Sequence, residues 1–399
     1  MIRFIRATAL ILCVTLSLPS AVWADSLGPA RSYDELLSLA ALASDGDVIL
    51  ISGDIAAVQD APLTSASAIR IRSSAEGPAS IDALRLKDAA VTFDDIDLND
   101  SLIIEGLCAV EISRGVTVRG ADGCEGIRFT GGGTLLLGSG SLVVGGSGSA
   151  GVTISHENGD FYGHFDGAVR GGSNGGVGVE IAPLQQSGAL MVSGSITGGD
   201  GANVGGHALN LYGLSGNAYV TLGGTLSGGS GLVGGNGVQI VSATGSAIVG
   251  IDADIRGGQG ATYGGNALVL MNVEGGSSVS LTGSLRGGDV TQAGATAGTS
   301  LLVVGDSTSS HVFVSGCHLE DGHHLNAQAV TPEPAVTPLP EITSSVEHTT
   351  TLPQDEWDEW DEWGAEDVEP DEAPDQQDAT PAEPDAPQTQ QQPDSAPQA

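Results

Sequence analysis

The densest run of chemically versatile side chains is His156-Glu157-Asn158-Gly159-Asp160-Phe161-Tyr162-Gly163-His164-Phe165-Asp166. Aromatic rings beside carboxylates suit stacking on a sugar or holding calcium, which makes His156, Glu157, Asp160, Tyr162, His164 and Asp166 binding candidates. The run replaces the second strand of its coil with aromatics, histidines and carboxylates, and the plainer reading is a widened turn with a local phenylalanine plug. A second group is basic. Arg170, Arg256 and Arg286 share one column of a repeat, and the last two fall on neighbouring coils. They suit a carboxylated sugar; the competing reading is neutralisation by Asp252 or Asp254. A third group is Trp357, Trp360 and Trp363, set among carboxylates at a spacing of three. That spacing places all three indoles on one face of a polyproline II helix, which suits docking to a partner or a sugar surface. The alternative is a short duplicated run in a solvated tail.

Other donors are less organised. Cys317-His318 and His323-His324 carry metal-ligand atoms but lack the paired spacing of a structural zinc site. Calcium-binding nonapeptide rolls need Gly-Gly-x-Gly-x-Asp in tandem, whereas the position after each glycine pair here is Asp200, Ser230, Gln259 and Asp289. The steric reading of these glycines is a turn needing positive φ in each coil. His207, Asn236 and Asn266 each follow a second glycine pair and predict a ladder of side-chain hydrogen bonds.

The elements that position these groups come from a repeat. Val179, Leu209, Val238 and Leu268 form one apolar column, Ile181, Leu211, Ile240 and Leu270 a second, and Leu190, Val220, Val249 and Val279 a third. Val192, Leu222, Ile251 and Leu281 form a fourth, and Ile196, Leu226, Ile255 and Leu285 a fifth. Phased columns in short alternating strands, with no helical pattern between them, predict a coil stacked on itself. One coil cannot bury its apolar stripe alone, but a stack can. The columns extend upstream through Val152, Ile127, Leu102 and Leu84, and downstream to Leu301 and Val312. A narrow interior would favour aliphatic side chains over rings, in line with 4% aromatic content. Ser32-Tyr33-Asp34-Glu35 reads as a capping box opening an amphipathic helix over residues 32–44, ahead of a first strand at Val48–Ile51.

Composition bounds the rest. The chain has 399 residues, 61 of them glycine, and 13 Lys+Arg against 49 Asp+Glu, for a formal charge of -36. Such a polyanion repels nucleic acid and anionic membranes. Residues 1–24 read as an export signal, with Arg3 and Arg6 before a short apolar run. Residues 25–47 read as an N-terminal cap and 48–322 as the solenoid. Residues 323–399 read as an irregular stretch and then an acidic, Pro/Gln-rich tail too polar to fold. No later segment suits membrane insertion. Cleavage would leave Cys108, Cys124 and Cys317, of which the first two can bridge.

The coil periodicity and N-terminal helix resemble the pectate-lyase-like right-handed parallel β-helix superfamily, over about residues 32–322. The resemblance implies an all-β, right-handed solenoid of roughly ten coils at the strand spacing. Its members include polysaccharide lyases, bacterial adhesins and carbohydrate-binding envelope proteins. Lyases of this fold use a carboxylate cluster holding calcium beside a basic residue, and no in-phase acidic trio faces Arg256 and Arg286. The expected function is therefore that of an exported, non-enzymatic protein, adhesive or polysaccharide-binding, at the cell envelope or in the extracellular space. It requires no cofactor, with calcium the candidate ion. A calcium-dependent polysaccharide lyase is the alternative, and a tail that recruits a basic partner is the third reading.

Overall fold

A computed structural model describes residues 25–58, 60–155, 160–184, 188–304 and 311–319. The expected export signal and acidic tail lie outside them. The described chain is all-β apart from one helix, and its strands pair in parallel. It is a parallel β-solenoid.

Three series of strand pairs carry the columns read from the sequence. In the first, Val179, Leu209, Val238, Leu268 and Leu301 are successive register partners. The same series runs upstream through Val152, Ile127, Leu102 and Leu84. In the second, Leu190, Val220, Val249, Val279 and Val312 align. In the third, Ile196, Leu226, Ile255 and Leu285 align. This third series also continues upstream through Val169, Val143, Val118, Leu98, Ile81 and Ile55, beyond the reach of the sequence repeat. Alternation turns these residues inward, and all of them are buried. Each fully buried Val, Leu or Ile contributes about 1.5–3 kcal/mol.

The interior does accept rings. Phe93, Phe129, Phe161 and Phe165 are all fully buried. Phe129 and Phe161 meet edge to face with centroids 5.2 Å apart. Phe161 lies opposite Gly133 in the register, and a Cβ on Gly163 would sit 2.9 Å from its ring. Missing side chains on the same wall therefore make the room.

The helix spans Tyr33–Leu42, shorter at both ends than expected. Ser32 Oγ accepts from the Glu35 N–H at 3.3 Å, while Glu35 reaches back to the Arg31 N–H at 2.7 Å. Tyr33, Leu36 and Ala40 form its buried stripe, and the Tyr33 hydroxyl donates to the Ala61 carbonyl at 2.7 Å. Before the helix, Ser26–Ala30 pairs in parallel with Val48–Ile51. Pro29 falls at the irregularity of this pairing between Leu27 and Ala30, and proline is tolerated in an edge strand, where its missing N–H costs no ladder bond.

Two glycine columns form a seam outside the three series. Gly172, Gly199, Gly229, Gly258 and Gly288 make one; Gly176, Gly206, Gly235, Gly265 and Gly298 make the other. Within each coil the second donates its N–H to the carbonyl of the first, as from Gly206 to Gly199 at 2.8 Å. The next coil then closes back, as from Gly229 to Gly206 at 2.8 Å. None of these ten glycines has positive φ, which corrects the turn reading. Each is required because a Cβ would be driven into a carbonyl oxygen: that of Gly199 for Gly229, and that of Gly229 for Gly258.

The seam also explains the uneven repeat. From Val152 onward the step between first-series partners is 27, 30, 29, 30 and 33 residues. The loops pinched off between paired seam glycines hold 3, 6, 5, 6 and 9 residues, so 24 residues of frame remain each time.

Beside the seam runs the expected polar ladder. His207 Nδ1 accepts from the Asn236 N–H at 2.9 Å, Asn236 Oδ1 from the Asn266 N–H at 2.9 Å, and Asn266 Oδ1 from the Thr299 N–H at 2.9 Å. Thr299 is the rung that the sequence comparison missed. Cys108, Cys124 and Cys317 are all free thiols, so the Cys108–Cys124 bridge is not formed. Cys108 lies in the long strand Asp97–Ile112, while Cys124 lies in the turn beyond Thr117–Arg119.

Two predictions follow from the seam and the ladder. Gly229→Ala and Gly258→Ala should each destabilise by at least about 2 kcal/mol through overpacking. Gly250→Ala, whose Cβ would meet only Ser280 Oγ at an unstrained 3.8 Å, should change stability by less than about 1 kcal/mol; denaturant midpoints check both. Burial holds the His207 imidazole below its usual range, so the unfolded chain takes up this proton first, near pH 6.5. This contribution is therefore complete above about pH 6.5 and is lost as pH falls from there through the folded-state value. His207→Asn keeps an acceptor in the ladder and should flatten that slope in a series of melting temperatures against pH.

Candidate functional site

Phe161–Phe165 is the second strand of its coil, with Asp160 and Asp166 flanking it. Phe161–Phe165 pairs with Gly133–Leu137 on one side and with Ala189–Val192 on the other. Phe161, Gly163 and Phe165 point inward, so the phenylalanines are the plug. Tyr162 and His164 stand on the strand's outward parity, and the flanking Asp160 and Asp166 are exposed. His164 Nε2 lies 3.1 Å from Asp166 Oδ1. The Tyr162 hydroxyl donates to Met191 Sδ at 3.5 Å, and burial, then the Asp166 carboxylate, pushes its pKa up. His156 and Glu157 lie outside the described residues, as do Trp357, Trp360 and Trp363.

Register places further side chains on this outer face. Tyr162, Ala189, Tyr219 and Ile248 form one outward column. Leu136, His164, Met191, Thr221 and Gly250 form the next. Tyr219 is 38% exposed and Ile248 49%. The two tyrosines stand two strand spacings apart, about 10 Å. Leu136, Met191, Tyr219 and Ile248 were not singled out from the sequence. Their signal was available in the columns between the inward ones, which share the same repeat.

The arginines belong elsewhere. Arg256 and Arg286 are direct register partners, as their spacing indicated, but they stand at the third-series ends of Ile248–Arg256 and Ser278–Arg286, strands that begin in the second series. Arg256 pairs with Asp254 at 3.0 Å, and Arg286 with Asp289 at 2.8 Å. The solenoid thus brings Asp160, Tyr162, His164 and Asp166 together on one face and sets the arginine pair on another. Asp200, one of the loop carboxylates, accepts from the Ser230 N–H of the next coil at 2.7 Å. Among the described residues no group of three or more His, Cys, Asp or Glu side chains converges to hold a metal ion.

What this arrangement offers is a flat, rigid surface with tyrosine faces, a thioether, aliphatic side chains and flanking carboxylates. Tyrosine rings suit stacking, and their hydroxyls and the carboxylates suit edge hydrogen bonds. No family model, no curated protein and no solved structure matches the chain.

The strand parity is directly testable. Phe161→Ala should cost about 3–5 kcal/mol by opening a cavity in the core. Tyr162→Ala, one residue on and facing outward, should cost less than about 1 kcal/mol. Equal losses in thermal unfolding would contradict the assignment.

Proposed function

We propose that this chain is an exported, non-enzymatic rod that binds polysaccharide, and so adheres to a surface, through the outer face around Tyr162 and Tyr219. The rod is a right-handed coil of roughly ten turns rising about 4.8 Å each, with the helix Tyr33–Leu42 capping its first coil. The observation that carries this reading is the outward register of Tyr162, Ala189, Tyr219 and Ile248. Two rings held on a rigid lattice at about 10 Å can stack on separate residues of one extended sugar chain. Neither ring needs to be ordered on binding, so little conformational entropy is lost. The ion-paired arginines support display rather than turnover, because each guanidinium already faces a carboxylate on its own side of the rod.

The test is a polysaccharide pull-down and glycan-array screen of the full chain, with and without calcium. Binding without change of the polymer is expected. Replacing both tyrosines by alanine should weaken it at least about tenfold, the loss of roughly 1.4 kcal/mol. New unsaturated or reducing ends would replace this reading with a degradative one. Retention of full affinity by the double variant would move the site to another face.

A further inference from the structure

The charge around the tyrosine face points to the class of polymer it takes. The outward columns running from Thr134 to Ser278 and from Glu111 to Ser280 contain no Lys or Arg. Carboxylates border them instead. Glu111 lies in register with Leu136, and the same column continues past it through Thr92 to Arg70, two strands further on. Asp166 and Asp252 follow Phe165 and Ile251, which belong to one inward column, so both stand on the same edge of the face. Asp160 precedes Phe161 on the opposite edge. Asp166 meets His164, and Asp252 accepts from the Thr282 hydroxyl at 3.1 Å, so both carboxylates are held at fixed positions without a permanent cation.

A polyuronate laid along this face would bring its carboxylates against these, on a chain whose formal charge is -36. Like charges in such positions are destabilising and slow encounter. A polymer bearing protonated amines meets the opposite situation: its rings can stack on Tyr162 and Tyr219 while its ammonium groups reach Asp160, Asp166, Asp252 or Glu111. We propose that the face selects an amine-bearing amino-sugar polymer over neutral and uronate polymers. This inference rests on the polysaccharide-binding reading given above and adds the charge of the ligand.

The experiment compares three oligosaccharides of equal length against the full chain by calorimetry, below neutral pH: a β-linked glucosamine oligomer, its N-acetylated form and a galacturonate oligomer. The glucosamine oligomer is expected to bind at least about tenfold tighter than the N-acetylated one, and its advantage should shrink as ionic strength rises. Asp166→Asn combined with Asp252→Asn, both exposed positions, should erase that advantage, so that the glucosamine oligomer and its N-acetylated form bind the variant equally. Equal binding of the amine and its N-acetylated form, or tightest binding of the uronate, would overturn the charge inference and leave polysaccharide binding standing. Binding of none of the three, with capture of a lysine-rich peptide instead, would overturn the inference and count against the polysaccharide reading beneath it.

Discussion

Two columns of glycine carbonyls and amides, too close together to admit a Cβ, set the frame of this solenoid. The three strand series supply hydrogen bonds along the walls, but a coil must also close on itself before the next begins. Here the closure is made by main chain alone: the Gly206 N–H to the Gly199 carbonyl, then the Gly229 N–H to the Gly206 carbonyl, and onward. Each seam glycine from Gly176 to Gly288 both donates to and accepts from its opposite column. A backbone group buried without a partner costs free energy on the scale of a lost hydrogen bond, so a substitution that opened one link would orphan its neighbours as well. The same pinch releases the loops from the frame. Stretches 200–205 and 289–297 differ in length without disturbing the walls, because the excess is excluded where the glycines meet.

That freedom determines what the sequence made legible. The inward columns were visible because Val, Leu and Ile recur at steps that differ only by loop length, and every pairing drawn among Val179, Leu209, Val238 and Leu268 is present. The third series upstream was harder to read. Ile55, Ile81 and Leu98 fall at steps of 26 and 17, where long bent strands replace the regular corner. The seam was hidden for a different reason. Glycine signals both positive φ and close approach, and composition does not separate the two; subtracting the loops would have, since a constant frame remains. The room for four buried rings was not legible, because ring-sized space arises from side chains missing at Gly133 and Gly163, a property of facing residues and not of any one strand.

The candidate site shows the same division. Its strand residues were found by type, but their grouping depended on parity, which sorts Phe161 and Phe165 from Tyr162 and His164. Tyr219 and Ile248 come to the face only through register, two and three strands away from Tyr162. A stacked lattice turns such outward columns into flat surfaces with fixed spacing. Side chains held on such a lattice are ordered before any ligand arrives, so docking to them would cost little conformational entropy.

The seam is the claim from which the outer faces inherit their spacing, and amide hydrogen exchange reads it directly. If the glycine columns are closed by main-chain bonds, the amides of Gly206, Gly235 and Gly265 should be protected to the same degree as those of Leu211 and Ile240 in the walls. Exchange of those glycine amides at the rate of the loop residues they enclose, with the wall amides still protected, would contradict it.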